Sequence, residues 1–228
     1  MHEPQAESVC GQHMQTPPGQ QYDGNCMCTF TIFSNSPKRE DHLIKCACIA
    51  LPHCKRNHLI DVCRTRWVER IDGLDRVVEL LNPRCVTLED ISLNKSPEGV
   101  VGRGSWNSTS SSDAGSLLKA ISFEFLITLV VVKQILGLTR SATVKLQAKN
   151  MDLISADTEI SLLKQVLREY QEGIAQKHRD MHEKAALMGE AIAIEPKCPR
   201  VVGRQVYRDN ALASNPEDYY RVSLTNPF

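Results

Sequence analysis

One run of eighteen residues, Ile121–Leu138 (ISFEFLITLVVVKQILGL), constrains this chain more than any other stretch. A segment so apolar has two stable destinations. It lies in a bilayer, whose hydrocarbon core is spanned by about 20 apolar residues of helix, or other helices bury it on all sides. Glu124, Lys133 and Gln134 interrupt the run, and ionisable groups are costly in hydrocarbon. The expectation is therefore a helix, Leu117–Leu138, at the centre of a helical domain, with no membrane partner.

The flanking sequence supplies helices to cover it. Residues 38–51 read as helix up to Pro52. Trp67, Ile71, Leu74, Val77, Val78 and Leu81 recur at helical spacing and predict an amphipathic helix over 67–81, ended by Asn82-Pro83. Val86–Leu93 predicts a shorter helix. The Ser- and Gly-rich stretch 94–116 reads as a loop, from which Asp113 or Ser116 caps the central helix. After a break near Gly137–Ser141 the helical pattern continues over Ala142–Asn150. Residues 155–192 carry the longest periodic stripe, through Ile160, Leu163, Leu167, Tyr170, Ile174, Met181, Ala185, Met188 and Ile192. Ser155 or Asp157 caps it, and Gly173 with the polar 175–180 stretch marks a bend or split. A stripe this narrow either packs within a helical domain or meets a coiled-coil partner. Residues 29–33 (TFTIF) read as a strand or a helix end. The fold class is mainly α, in three regions: a flexible segment 1–54, a helical region 55–195 with its loop at 94–116, and a loop-rich tail 196–228.

Charge excludes one broad class. The 228 residues hold 27 basic and 27 acidic side chains, so the formal net charge is zero, and aromatics make up 5%. A general polyelectrolyte binder with stacking surfaces is normally basic and aromatic-rich. The stretch Lys55–Arg76 is the one basic region that could face a polyanion; mixed charges on a solvated face are the competing reading.

Nine cysteines accompany no signal-peptide pattern at the start, MHEPQAESVC. A reducing compartment with free thiols is expected. Cys46, Cys48, His53, Cys54, His58 and Cys63 have the ligand types of a zinc site, but their spacing fits no standard finger, and buried free cysteine in a helix competes with it. No metal or cofactor is expected.

The segment Cys63-Arg64-Thr65-Arg66-Trp67-Val68-Glu69-Arg70 resembles the C-x-T-R-W-V-E-R signature of hAT-superfamily transposases and their domesticated relatives. Ser34–Arg39, Phe123–Phe125 leading into Leu138–Arg140 and Val144–Gln147, Gly203–Val206 and Pro216–Arg221 follow in the same order, as in a branch whose members carry a THAP zinc finger. Together the blocks span about residues 19–228, with gaps. Gly19-Gln20-Gln21-Tyr22-Asp23-Gly24 followed by Met27 resembles the element in which the family places one of three metal-binding carboxylates of an RNase H-like core. The resemblance implies an all-helical insertion domain with a remnant of that core, internally deleted. Asp23 is then a relic: the family's other two carboxylates fall outside this sequence, as do its dimerisation region and its THAP finger. Strand transfer on DNA needs two divalent ions held by several carboxylates, so no enzymatic activity is expected.

Three functions follow from this resemblance. The favoured one is a non-catalytic, transposase-derived interaction protein, nuclear by resemblance and otherwise cytoplasmic. It would act through protein contacts, with weak DNA contact at Arg64, Arg66 and Trp67. There the indole would stack on an unpaired base and Arg66 would reach phosphate; alternatively, Trp67 is core and Arg66 pairs with Glu69 or Asp72. The second is a transposase or nuclease fragment needing carboxylates from another chain. The third, a refinement of the first, is a regulatory factor acting on a kinase inhibitor.

Overall fold

The computed structural model describes residues 32–53, 67–95, 102, 104–199, 213 and 215–225. All regular structure among them is helical: α1 Pro37–Ala50, α2 Trp67–Glu79, α3 Leu81–Ser92, α4 Ser108–Ala120, α5 Phe123–Leu146, α6 Leu153–Glu172, α7 Ile174–Glu190 and α8 Pro216–Tyr220, the last running into a π-helical turn, Arg221–Thr225. Ile32–Ser34 is also helical, which resolves the ambiguous 29–33 stretch at its C-terminal end as helix. The element around Asp23 expected to be a remnant of an RNase H-like core lies outside the described residues.

The apolar run becomes α5, and α5 becomes the core. Ten of its residues are buried, among them Phe123, Leu126, Ile127, Leu129, Val130 and Leu136. Apolar side chains on every face give such a helix no solvent side, so it must be surrounded. Helices α2 and α7 pack against it, and α6 folds back on it. It is also the one described helix long and apolar enough to cross a membrane; here the neighbouring helices supply the cover that lipid would.

Helix α2 presents Ile71, Leu74 and Val77, all buried, to this core. Its polar edge is tied to α5 by Lys133 Nζ–Asp75 Oδ1 and Arg140 Nη1–Asp72 Oδ1, both 2.7 Å. Helix α7 approaches through small residues, with Ala185 and Gly189 buried beside Met181. A Cβ at Gly189 would collide with the Ile194 carbonyl and lie 3.5 Å from Leu126 Cδ1. The helix ends just beyond, where Ile194 N donates to Gly189 O (2.8 Å) and Ala193 takes φ 57°, the left-handed closing conformation usually given to glycine.

Several boundaries differ from the sequence expectation. Helix α4 begins at Ser108, inside the expected 94–116 loop, because Asn107, rather than Asp113 or Ser116, is the cap: its side chain accepts from Ser110 N at 2.7 Å. The expected Leu117–Leu138 helix is broken at Ile121–Ser122, where Ser122 takes extended backbone and caps α5 by accepting from Phe125 N. No break occurs at Gly137–Ser141; a single α-helix runs through to Leu146. Asn82-Pro83 opens α3 instead of merely ending α2, since proline is tolerated in a first turn. The 155–192 stripe splits at Gly173 into α6 and α7, and Asp152, not Ser155 or Asp157, caps α6 by accepting from Ser155 N at 2.8 Å. The tail contributes α8, whose Tyr219 and Tyr220 are buried.

Candidate functional site

Of the residues expected to touch DNA, Arg64 and Arg66 lie outside the described residues, and Trp67 is the first residue of α2, whose side chains are described from Ile71 on. Asp72, an expected partner of Arg66, is engaged by Arg140. Asp23 also lies outside the described residues. So do Cys54, His58 and Cys63 of the expected zinc ligands. The others separate: Cys46 is half-buried, whereas Cys48 and His53 are exposed. Two positions along an α-helix are turned by about 200°, so Cys46 and Cys48 of α1 cannot face one ion.

Three features remain as candidate sites. The first is a groove of about 700 Å³ between α1, α3 and the loop before α4. Its wall is held by Trp106, whose backbone N–H donates to Asn94 Oδ1 at 3.1 Å. Lys38 Nζ lies 4.4 Å from the centre of the Trp106 ring and donates to Ser105 O and Oγ. On the groove floor His42 and Cys46 stand one helical turn apart on α1, facing Asp90 of α3. His42 Nε2 is 3.1 Å from Asp90 Oδ2, and Lys95 Nζ holds the other carboxylate oxygen at 3.0 Å. Burial pushes the Cys46 thiol above its ordinary value. His42 and Asp90 escaped the sequence expectation. The i, i+4 spacing of His42 and Cys46 was a readable signal; Asp90 joins them only through the packing of α3 on α1.

The second feature is α6. None of its twenty residues is buried. Its Ala156, Leu163, Val166 and Tyr170 are half-covered, but Leu153 is 86% exposed, Ile154 81% and Leu162 52%. Leu153, Ile160 and Leu167 recur every seven residues along one flank, and Val144 and Leu146 at the end of α5 are exposed beside its start. This continues the heptad-like stripe expected from the sequence, with half of it left facing solvent.

The third is the docking of α8. His178 on α7 is fully buried, with Nε2 3.1 Å from the Glu217 carbonyl oxygen. His182, one turn on, packs edge-on against Phe123 at 5.3 Å. Tyr220 meets the same Phe123 at 5.4 Å and donates its hydroxyl to Lys197 O at 2.8 Å. Burial is the main cause that pushes both histidines below their ordinary value, which keeps them neutral and compatible with an apolar interface.

Comparison with known proteins points to a regulatory relative. The chain is similar to the "52 kDa repressor of the inhibitor of the protein kinase" of Homo sapiens, 27% identical over 170 residues, which is 74% of this chain and 21% of that protein. It is similar to the protein of the same name from Mus musculus, 26% identical over 177 residues, 76% of this chain and 22% of that protein. The chain thus spans about a fifth of the length of the curated relatives it matches. No protein-family profile and no solved structure matches it.

Proposed function

We propose that the chain is a non-catalytic, transposase-derived regulatory protein that acts in the nucleus through protein contacts, with DNA contact weak and secondary. The observation that carries this reading is α6. A twenty-residue amphipathic helix that buries none of its residues, yet shows aliphatic side chains at heptad spacing, is shaped to receive another helix. Leu153, Ile160 and Leu167 would enter the partner's apolar face. Lys164 and Arg168 beside them would meet its acidic residues. The relatives are named as repressors of an inhibitor of a protein kinase, and this supports such an inhibitor as the partner to test.

Calorimetric titration of the full chain into that kinase inhibitor tests the reading. Saturable binding is expected, weakened at least about tenfold by Leu153→Asp with Ile160→Asp, with helix content unchanged. No binding, or binding indifferent to both substitutions, overturns the role of α6. Manganese-dependent cleavage of terminal-repeat DNA by the purified chain would overturn the non-catalytic reading.

A further inference from the structure

We propose that His42, Cys46 and Asp90 form a zinc-binding site that pins α1 to α3. Their ligating atoms all lie within 4.8 Å of one another. The side chains of His42 and Asp90 are 28% and 20% exposed, and Cys46 is likewise half-buried, so the site is sheltered but open to entry from the groove.

The donor set selects the metal. One thiol, one imidazole and one carboxylate suit a borderline ion such as zinc, and the sulfur disfavours magnesium and calcium. Zinc bonds of about 2.0–2.3 Å place tetrahedral ligand atoms about 3.3–3.8 Å apart, so rotamer adjustments of roughly an ångström close this set. His42 and Cys46 need no backbone movement to converge, because one helical turn already sets them side by side. The third ligand comes from a packed neighbouring helix, which makes the ion a cross-link between segments 44 residues apart, as the Cys46–Asp90 separation reads.

The surrounding residues support the same assignment. Lys95 binds Asp90 Oδ1 and leaves Oδ2, the oxygen already turned to His42, for the ion. A ligating carboxylate is commonly oriented in this way by a second hydrogen bond. His42 is also fixed by its ring contact with Trp106, 5.7 Å between centroids. On binding, the Cys46 thiol proton leaves to solvent, the proton on His42 Nε2 is given up to solvent while Nδ1 takes or keeps one, so that Nε2 turns its lone pair from the Asp90 hydrogen bond to the metal, and water from the groove takes the fourth position. Only the S–H and Nε2–H bonds give up their protons, and no redox partner is needed.

The test uses the full chain, reduced and metal-free, titrated with cobalt(II) as a spectroscopic stand-in for zinc. One cobalt per chain is expected, with a thiolate-to-cobalt charge-transfer band that zinc abolishes by displacement. Cys46→Ser is expected to remove the band, Asp90→Asn to weaken binding about tenfold or more, and Cys48→Ser, an exposed cysteine of the same helix, to change nothing. A band that survives Cys46→Ser, or no band in the parent chain, overturns the proposal. A second readout needs no variant: zinc should protect Cys46, and not Cys48, from alkylation mapped by mass spectrometry. Equal labelling of both with and without zinc overturns the proposal as well.

Discussion

Helices α5 and α6 are consecutive, of similar length and packed on each other, yet they hold opposite positions in the protein. Ten residues of α5 are buried; none of α6 is. The cause lies in side-chain distribution. Helix α5 is apolar around its whole circumference, so any exposed face would be costly, and α2, α6 and α7 gather around it. Helix α6 carries a narrow stripe between polar faces, and α5, with a lesser contact from α7, covers only half of it. On the proposed reading fold and function are thereby separated: α5 holds the domain together, and α6 would offer it to a partner.

The largest expected effect tests that separation directly. Leu126 is fully buried in α5, and Leu126→Ala should cost about 2–5 kcal/mol through lost burial and the cavity left behind. Leu153→Ala, at an 86% exposed position of α6, should shift stability by less than about 0.5 kcal/mol. Urea unfolding of the two variants measures both. Comparable losses would mean that α6 is as much core as α5, and the proposed docking face would fall with them.

Next comes the dependence on pH, which asks whether the core around α5 needs α7 and α8 as its cover. His178 and His182 are both held below their ordinary value by burial, more strongly than the opposing Glu217 contacts raise them; Arg221 faces His178 as well. Between pH 7 and 5 the unfolded chain therefore takes up protons that the folded chain refuses, and stability falls with falling pH. The loss begins as pH drops through the unfolded histidine value, about 6.5, and stops growing below the depressed folded values. His178→Gln should flatten the slope of stability against pH over this window. An unchanged slope in that variant would show that other groups set it.

A smaller effect separates the two helix caps. Ser122 caps α5 and Asp152 caps α6. Losing the first should lower global stability by about 1 kcal/mol in Ser122→Ala. Losing the second in Asp152→Ala should release only local protection. Hydrogen exchange would then speed up over the first turn of α6 and leave the amides of α5 as they were. Faster exchange in both helices after Asp152→Ala would break the comparison.

Much of this difference was legible in the residues. The unbroken apolar run announced a core helix, and the stripe through Ile160, Leu163, Leu167 and Tyr170 announced an amphipathic one with Gly173 as its end. The breaks were harder to read. Nothing in hydropathy distinguishes Ile121–Ser122 from its surroundings, because a single serine with its hydroxyl on the Phe125 amide makes the turn. Helix α4 was hidden by its serines, which favour caps and turns over helix interiors; it forms because Asn107 caps it and Ala114 packs into the core. At the candidate metal site Cys46 was expected as a ligand, while His42 was missed although it stands one helical turn before it. Asp90, 44 positions beyond Cys46, enters only through tertiary packing, which no local pattern encodes.

The smallest effect concerns the turn that ends α7 against α5. Ala193 holds a φ of 57°, where an L side chain is strained and glycine is not. The strain persists because the turn is fixed on both sides. Ile194 N bonds to Gly189 O, and Gly189 has no room for a Cβ against the Ile194 carbonyl. Ala193→Gly should relieve the strain, and part of the gain is returned because glycine adds freedom to the unfolded chain. A net stabilisation of about 0.5 kcal/mol is expected, read as a small rise in the urea midpoint with an unchanged slope. Gly189→Ala should act in the opposite sense and more strongly, since its Cβ collides with the Ile194 carbonyl and forces the closing turn open. If Ala193→Gly destabilised the protein instead, the turn would not be strained, and the close approach of α7 to α5 would have to rest on side-chain packing alone.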